Sequence, residues 1–125
     1  MDTFGFSEAA WQSAKAEAKS ALVARAKVRG MLPYSELVRS IHSVALEPHD
    51  VRLFHMLGQL STEEAQAGRG MITALVGHKT GDMQPGPGFF ELAERLGHDA
   101  SDVLAFWIGQ VKKVHAYWEN AGGKP

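Results

Sequence analysis

The sequence has no cysteine, which excludes disulfides, thiolate metal sites and cysteine nucleophiles and fits a reducing compartment. It also lacks a long hydrophobic run. The apolar stretches fall far below the ~18 residues of a membrane helix, so no membrane partner is expected. Its opening residues, Met1-Asp2-Thr3-Phe4, carry neither the basic nor the apolar part of a secretory signal, and the expectation is a cytoplasmic protein. Net charge is nearly absent: 13 Lys and Arg against 14 Asp and Glu leave −1. Non-specific affinity for nucleic acid comes mainly from neutralising phosphates, so this balance argues against a generic nucleic-acid binder.

What is there is ordinary for a packed protein. A 45% hydrophobic and 22% charged composition argues against disorder, and 125 residues suffice for one core without staples. The expected organisation is a single domain over residues 1–125, with a core at about 7–120 and a flexible tail at 121–125. Charge is unevenly spread. Residues 1–30 hold Lys15, Lys19, Arg25, Lys27 and Arg29 against Asp2, Glu8 and Glu17, residues 31–100 are acidic, and Lys112, Lys113 and Lys124 tip the end basic. A modest positive face on the first helix follows.

Ser7 is placed to cap a first helix running to about Arg29. Its many alanines favour helix and close packing, and Gly30 sits where a left-handed cap is wanted. Met31-Leu32 reads as a very short strand. Pro33 suits the first turn of a second helix, with Leu37, Val38 and Ile41 inward and an end near Ser43. Asp50 is the expected cap of a third helix whose Leu53, Phe54, Met56, Leu57 and Leu60 face inward. Ser61-Thr62-Glu63-Glu64 fits a capping box, so that helix is expected to break and restart there. Residues 71–76, β-branched and mostly apolar, read as a strand buried on both faces. Glycines and prolines over residues 79–88 make a turn and a short return segment. A fourth helix over residues 89–96 closes at Gly97. Ser101 then caps a last helix striped with Leu104, Trp107, Ile108, Val111, Val114 and Trp118.

Helix, tiny strand, helix, helix, strand, turn, strand is the order of a winged helix-turn-helix. The expected fold class is therefore mainly α (α+β), a winged helix-turn-helix-like core with a small β-hairpin and extra C-terminal helices. The residues carry a resemblance as well. The run Met31-Leu32-Pro33-Tyr34-Ser35-Glu36-Leu37-Val38, the Gly68-Arg69-Gly70 end of a helix, Ile72-Thr73-Ala74-Leu75-Val76-Gly77-His78-Lys79 and Gly86-Pro87-Gly88-Phe89-Phe90 together resemble an uncharacterised bacterial winged-helix-like domain family. Similar stretches in that family stand beside nuclease domains, and the likeness covers roughly residues 10 to 120. More distantly, Tyr34-Ser35-Glu36-Leu37-Val38 and Val76-Gly77-His78-Lys79 resemble two segments of the DNA-binding half of the alkylguanine-DNA alkyltransferases. Gly77 stands where that family has its reactive cysteine, so the resemblance implies a scaffold and not alkyl transfer.

No nucleophile, base and acid come together in the pattern. Ser7, Ser35, Ser61 and Ser101 sit at helix starts, where capping explains them. Glu63-Glu64 and the Glu91/Glu94 pair read as solvated faces. His49 and His55 are six apart, unlike the i, i+4 pair of a zinc helix, and His115 with Glu119 has that spacing but no third ligand. His78-Lys79 reads as a strand-end pair in solvent or as an imidazole and ammonium over a DNA phosphate. Gly86-Pro87-Gly88 lacks the lysine and hydroxyl of a P-loop. The expectation is no enzyme, no metal and no cofactor.

Two readings remain. In the first, a nucleic-acid-associated module reads duplex DNA with Arg52, His55 and Gln59 on the third helix, while Lys15, Lys19 and Lys79 hold the phosphates. In the second, the domain is an interaction or accessory module that meets a second copy or another protein. Trp11, Trp107, Tyr117 and Trp118 then form the interface.

Overall fold

The computed structural model describes residues 4–48, 50–77 and 84–122. Its elements in order are α1 (Glu8–Lys27), β1 (Leu32–Pro33), α2 (Tyr34–Arg39), α3 (Val51–Gln66), a 3-10 helix (Ile72–Leu75), β2 (Val76–Gly77), α4 (Pro87–Arg95) and α5 (Val103–Gly122). Among the described residues the fold is mainly helical, with one two-stranded sheet in which β1 and β2 run parallel. No helix there is long and apolar enough to cross a membrane. The expected hairpin is not this sheet. The described strands pair in parallel, Leu32 with Val76 and Pro33 with Gly77, and His78, Lys79 and the turn after them lie outside the described residues, as does His49.

The start of α1 is as its sequence directs. The Ser7 hydroxyl accepts from the Ala10 N–H at 3.0 Å, Glu8 lies in the first turn, and Arg25 with Lys27 lies in the last, matching the helix dipole at both ends. Its end differs by one residue from the expected glycine cap. Arg29 takes the left-handed conformation at φ +56°, and Gly30 N–H then closes on the Arg25 carbonyl at 2.8 Å. The Arg29 guanidinium fixes this cap by holding Glu119 of α5 at 2.8 and 3.1 Å.

α2 stops at Arg39, short of the expected end near Ser43, because Glu17 of α1 captures the His42 and Ser43 N–H groups at 2.9 and 3.0 Å. Those donations also hold the Glu17 carboxyl below its usual range. Asp50 caps α3. That helix then runs through the supposed break: Ser61 is fully buried and hydrogen-bonds the Thr73 hydroxyl, so its oxygen serves the core and not a new helix start.

The expected strand at residues 71–76 is instead a 3-10 helix followed by the two residues of β2. The burial is as the apolar composition implies, since every residue of the segment is buried. The periodicity misleads because side chains replace a sheet neighbour. Ser61 takes the Thr73 N–H at 3.2 Å, Gln110 takes the Met71 N–H at 2.9 Å, and the Trp107 indole donates to the Ala74 carbonyl at 2.8 Å. Buried backbone groups need partners, not a particular ladder. α5 likewise begins on Asp102, which accepts from the Ala105 N–H at 3.1 Å, because Asp99 has engaged the Ser101 hydroxyl.

The main core joins α1, α2, α3, the 3-10 helix and α5, with Trp11, Leu22, Leu37, Leu53, Leu60 and Leu75 deep inside. A smaller cluster of Met71, Ala74, Phe89, Ala93, Ala100 and Trp107 seats α4 against α5. Ala14, Ala18 and Ala26 are fully buried, so α1 does pack through its alanines.

Candidate functional site

The sequence-selected cations do not converge. Arg52 is bound back to its own helix cap, with Nε and Nη2 to the Asp50 carboxylate at 2.6–3.0 Å and its guanidinium 5.4 Å from the Phe6 ring centre. This pairing holds the Asp50 carboxyl at about 2. Lys15 is 6% exposed and its ammonium meets Glu63 at 2.6 Å. Gln59 accepts from the Trp11 indole at 2.9 Å and from Lys15 at 3.4 Å, so it faces α1. Lys19 donates to Glu64 at 3.1 Å beside the Trp118 ring. His55 is exposed against the Phe4 ring. Lys79 lies outside the described residues.

Glu64 lies inside the protein and not on the solvated face its sequence context suggests, for it is 1% exposed. Burial alone raises its carboxyl, but hydrogen bonds from Arg69 and Lys19 outweigh that and bring it below its ordinary range. Arg69 in turn lies about 6 Å from the Tyr117 and Trp118 rings. The result is an internal ion cluster tying α1, α3 and α5 together.

The aromatic candidates divide in the same way. Trp11 is fully buried and Trp107 nearly so, each with its indole N–H bonded inside, so neither presents an interface. Trp118 is half-buried. Tyr117 alone of the four keeps much exposure.

A different feature is assembled from parts that the pattern did not single out. Phe54, expected inward, is 46% exposed, and Val51 beside it is more exposed still. Together with His55 and Gly58 they sit at i, i+3, i+4 and i+7 on α3, on the side away from Leu53, Met56 and Leu60. Facing them, Gly88, Glu91, Leu92 and Arg95 repeat the same spacing on α4. Between the two faces lies a cleft of about 600 Å³, the size of an ordinary ligand pocket. Phe4 and Tyr34 line it as well, and Thr73 reaches it from the 3-10 helix. Gly86 donates its N–H to the Tyr34 hydroxyl at 3.4 Å, and the Tyr34 and Phe54 rings meet edge to face at 5.9 Å. Burial pushes the Tyr34 hydroxyl pKa up, against the lowering pull of the Gly86 donor. A Cβ added at Gly58 would meet nothing within 4 Å.

The walls of this cleft are largely apolar, with Glu91 and Arg95 exposed at one side. Among the described residues, no group of three or more His, Asp and Glu is placed to hold a metal ion. The signal for the cleft was present in the sequence: α3 carries apolar residues on two faces, one more than a surface helix needs. The buried cluster around Glu64 had no comparable signal, because Lys19 belongs to another helix and Arg69 stands just past the end of α3, outside its periodicity. Compared with family models, curated proteins and solved structures, the chain matches none.

Proposed function

We propose that this chain is a non-enzymatic interaction module on a winged-helix-like scaffold, and that its α3–α4 cleft receives the apolar face of a helical segment from a partner protein. The observation that carries this reading is the pair of facing i, i+3, i+4, i+7 rows, with Val51 and Phe54 left in solvent at the mouth. Two parallel rows of this kind present a groove for a third helix, whose own apolar residues at the same spacing fill it. The exposed Glu91 and Arg95 are the polar rim that fixes orientation.

The nucleic-acid reading shares the scaffold and draws less from the geometry. Arg52, Lys15 and Lys19 are already neutralised by Asp50, Glu63 and Glu64. A duplex would have to compete for them.

One titration separates the two. Leucine-faced amphipathic peptides, one with lysine and one with glutamate on the polar face, are added to isotopically labelled protein and followed by NMR. Shifts should gather at Val51, Phe54 and Leu92, and Phe54→Ser should weaken binding about tenfold or more with the fold retained. If neither peptide binds, and a DNA duplex instead binds with steep salt dependence through Arg52, the cleft reading is overturned.

A further inference from the structure

The outer face of α5 is a second apolar surface, separate from the cleft. Leu104 and Ile108 are 48% and 40% exposed, and Ala105 and Gly109 are exposed beside them. For two turns this side of the helix shows no charge. A surface helix normally turns its polar side outward, so a solvent-facing row of this composition is a contact surface.

We infer that this face is where the chain pairs with a second copy of itself, with the two α5 helices antiparallel about a twofold axis that crosses the face midway between Ala105 and Ile108. The sequence of the face specifies the arrangement. Ser101, Leu104, Ala105, Ile108, Gly109 and Lys112 follow one another at steps of three, one, three, one and three, a single row down the helix. An antiparallel twofold maps this row onto itself. Leu104 then lies opposite Gly109 of the partner subunit, and Ala105 opposite Ile108 of the partner subunit. Each large side chain meets a small one, which lets the helices approach closely. A parallel pairing would set Leu104 on Leu104 and Gly109 on Gly109, crowded at one level and hollow at the next.

Charge selects the same arrangement. The N-terminal end of α5 carries exposed Asp99 and Asp102, and Lys112 and Lys113 follow about three turns on. Among the described residues neither lysine is ion-paired within the chain. Antiparallel pairing brings the acidic end of each helix to the basic stretch of the other, twice by symmetry. Parallel pairing sets like against like at both ends. The occupant of this face is therefore a copy of the same chain, since the face is complementary to itself in both shape and charge.

The contact spans about 16 Å of helix, shorter than a permanent interface needs. The dimer is accordingly weak and concentration-dependent. Sedimentation equilibrium of the full chain should show a monomer–dimer exchange between ~10 µM and ~1 mM. Leu104→Glu and, separately, Ile108→Lys should each shift it at least tenfold toward monomer, with helical circular dichroism unchanged. Lys112→Glu should weaken it too, and the loss should shrink as salt rises.

Because the chain has no cysteine, the register is open to a direct test. Oxidising a mixture of the Ala105→Cys and Ile108→Cys proteins should give mainly the mixed cross-link. A strict monomer at ~1 mM, a dimer indifferent to Leu104→Glu and Ile108→Lys, or a predominant Ala105→Cys self-cross-link would each overturn the inference. Phe54→Ser should leave the exchange untouched, so failure here and failure of the cleft reading are told apart.

Discussion

α1 and α5 are both twenty residues long and pack against each other, yet they spend their apolar residues in opposite ways. α1 is poor in large apolar groups and buries nearly all of those it has, through Trp11, Leu22 and a row of alanines. Its polar residues are tied inward as well, Lys15 to Glu63 and Lys19 to Glu64. α5 is the richer helix and buries Trp107 and Val114, but leaves Leu104, Ile108 and Tyr117 in solvent. A helix that holds a core together needs only enough apolar surface to fill its seat. The surplus on α5, like the second face of α3, lies in solvent, and it is on these two surfaces that the proposed contacts rest.

The most severe way to break this contrast is at α1. Trp11→Ala removes a fully buried indole that also satisfies Gln59, and it should cost about 3–5 kcal/mol, read by urea denaturation. Glu64→Gln comes next. It leaves the Lys19 and Arg69 cations facing each other without their buried counter-charge, with an expected loss of about 2–3 kcal/mol.

Acid should act chiefly on the ionic ties of α1 and the cap of α3. Glu17, Glu64 and Asp50 all have carboxyls lowered by folding, and Asp50 is held at about 2. Groups of this sign give their full stabilisation above their unfolded values and lose it as the pH falls through the folded ones. Stability should therefore decline from near pH 4.5 downward. Asp50→Asn should remove the share of that decline between pH 3.8 and about 2, measured as the difference in denaturation midpoint against pH. The smallest effect belongs to α5. Leu104→Ser, at a half-exposed position, should change the stability of the dilute monomer by no more than ~0.5 kcal/mol. A large loss there would make Leu104 a core residue and erase the contrast.

Much of the helical framework was legible, because caps and period are local properties. Ser7, Asp50 and Gly97 end or begin helices where their chemistry says they should. The errors share one cause, which is a distant partner overriding a local preference. Arg29 takes a glycine's conformation while Glu119 holds it, Ser61 leaves a capping role for Thr73, and the 71–76 segment gives up a strand because Ser61, Gln110 and Trp107 satisfy it. The polar residues selected on α3 are engaged within the chain. Arg52 is taken by Asp50, the cap of its own helix and two residues away, whereas only the packing reveals Trp11 as the partner of Gln59. The cleft was readable from α3, but its opposite wall is some thirty residues further along the chain.

The packing of α1 on α5 also sets the order in which the molecule can come together. Arg29 joins Glu119 and the Gly30 carbonyl joins His115, pairs separated by 90 and 85 residues. On a ribosome α1 emerges before its partners, so the part of its face that packs on α5 stays uncovered after α2, α3 and the 3-10 helix have been made. The 3-10 segment, which depends on Gln110 and Trp107, waits for the same helix. Closing such distant contacts is slow compared with forming a local helix pair. The core of the domain is thus complete only once α5 is in place.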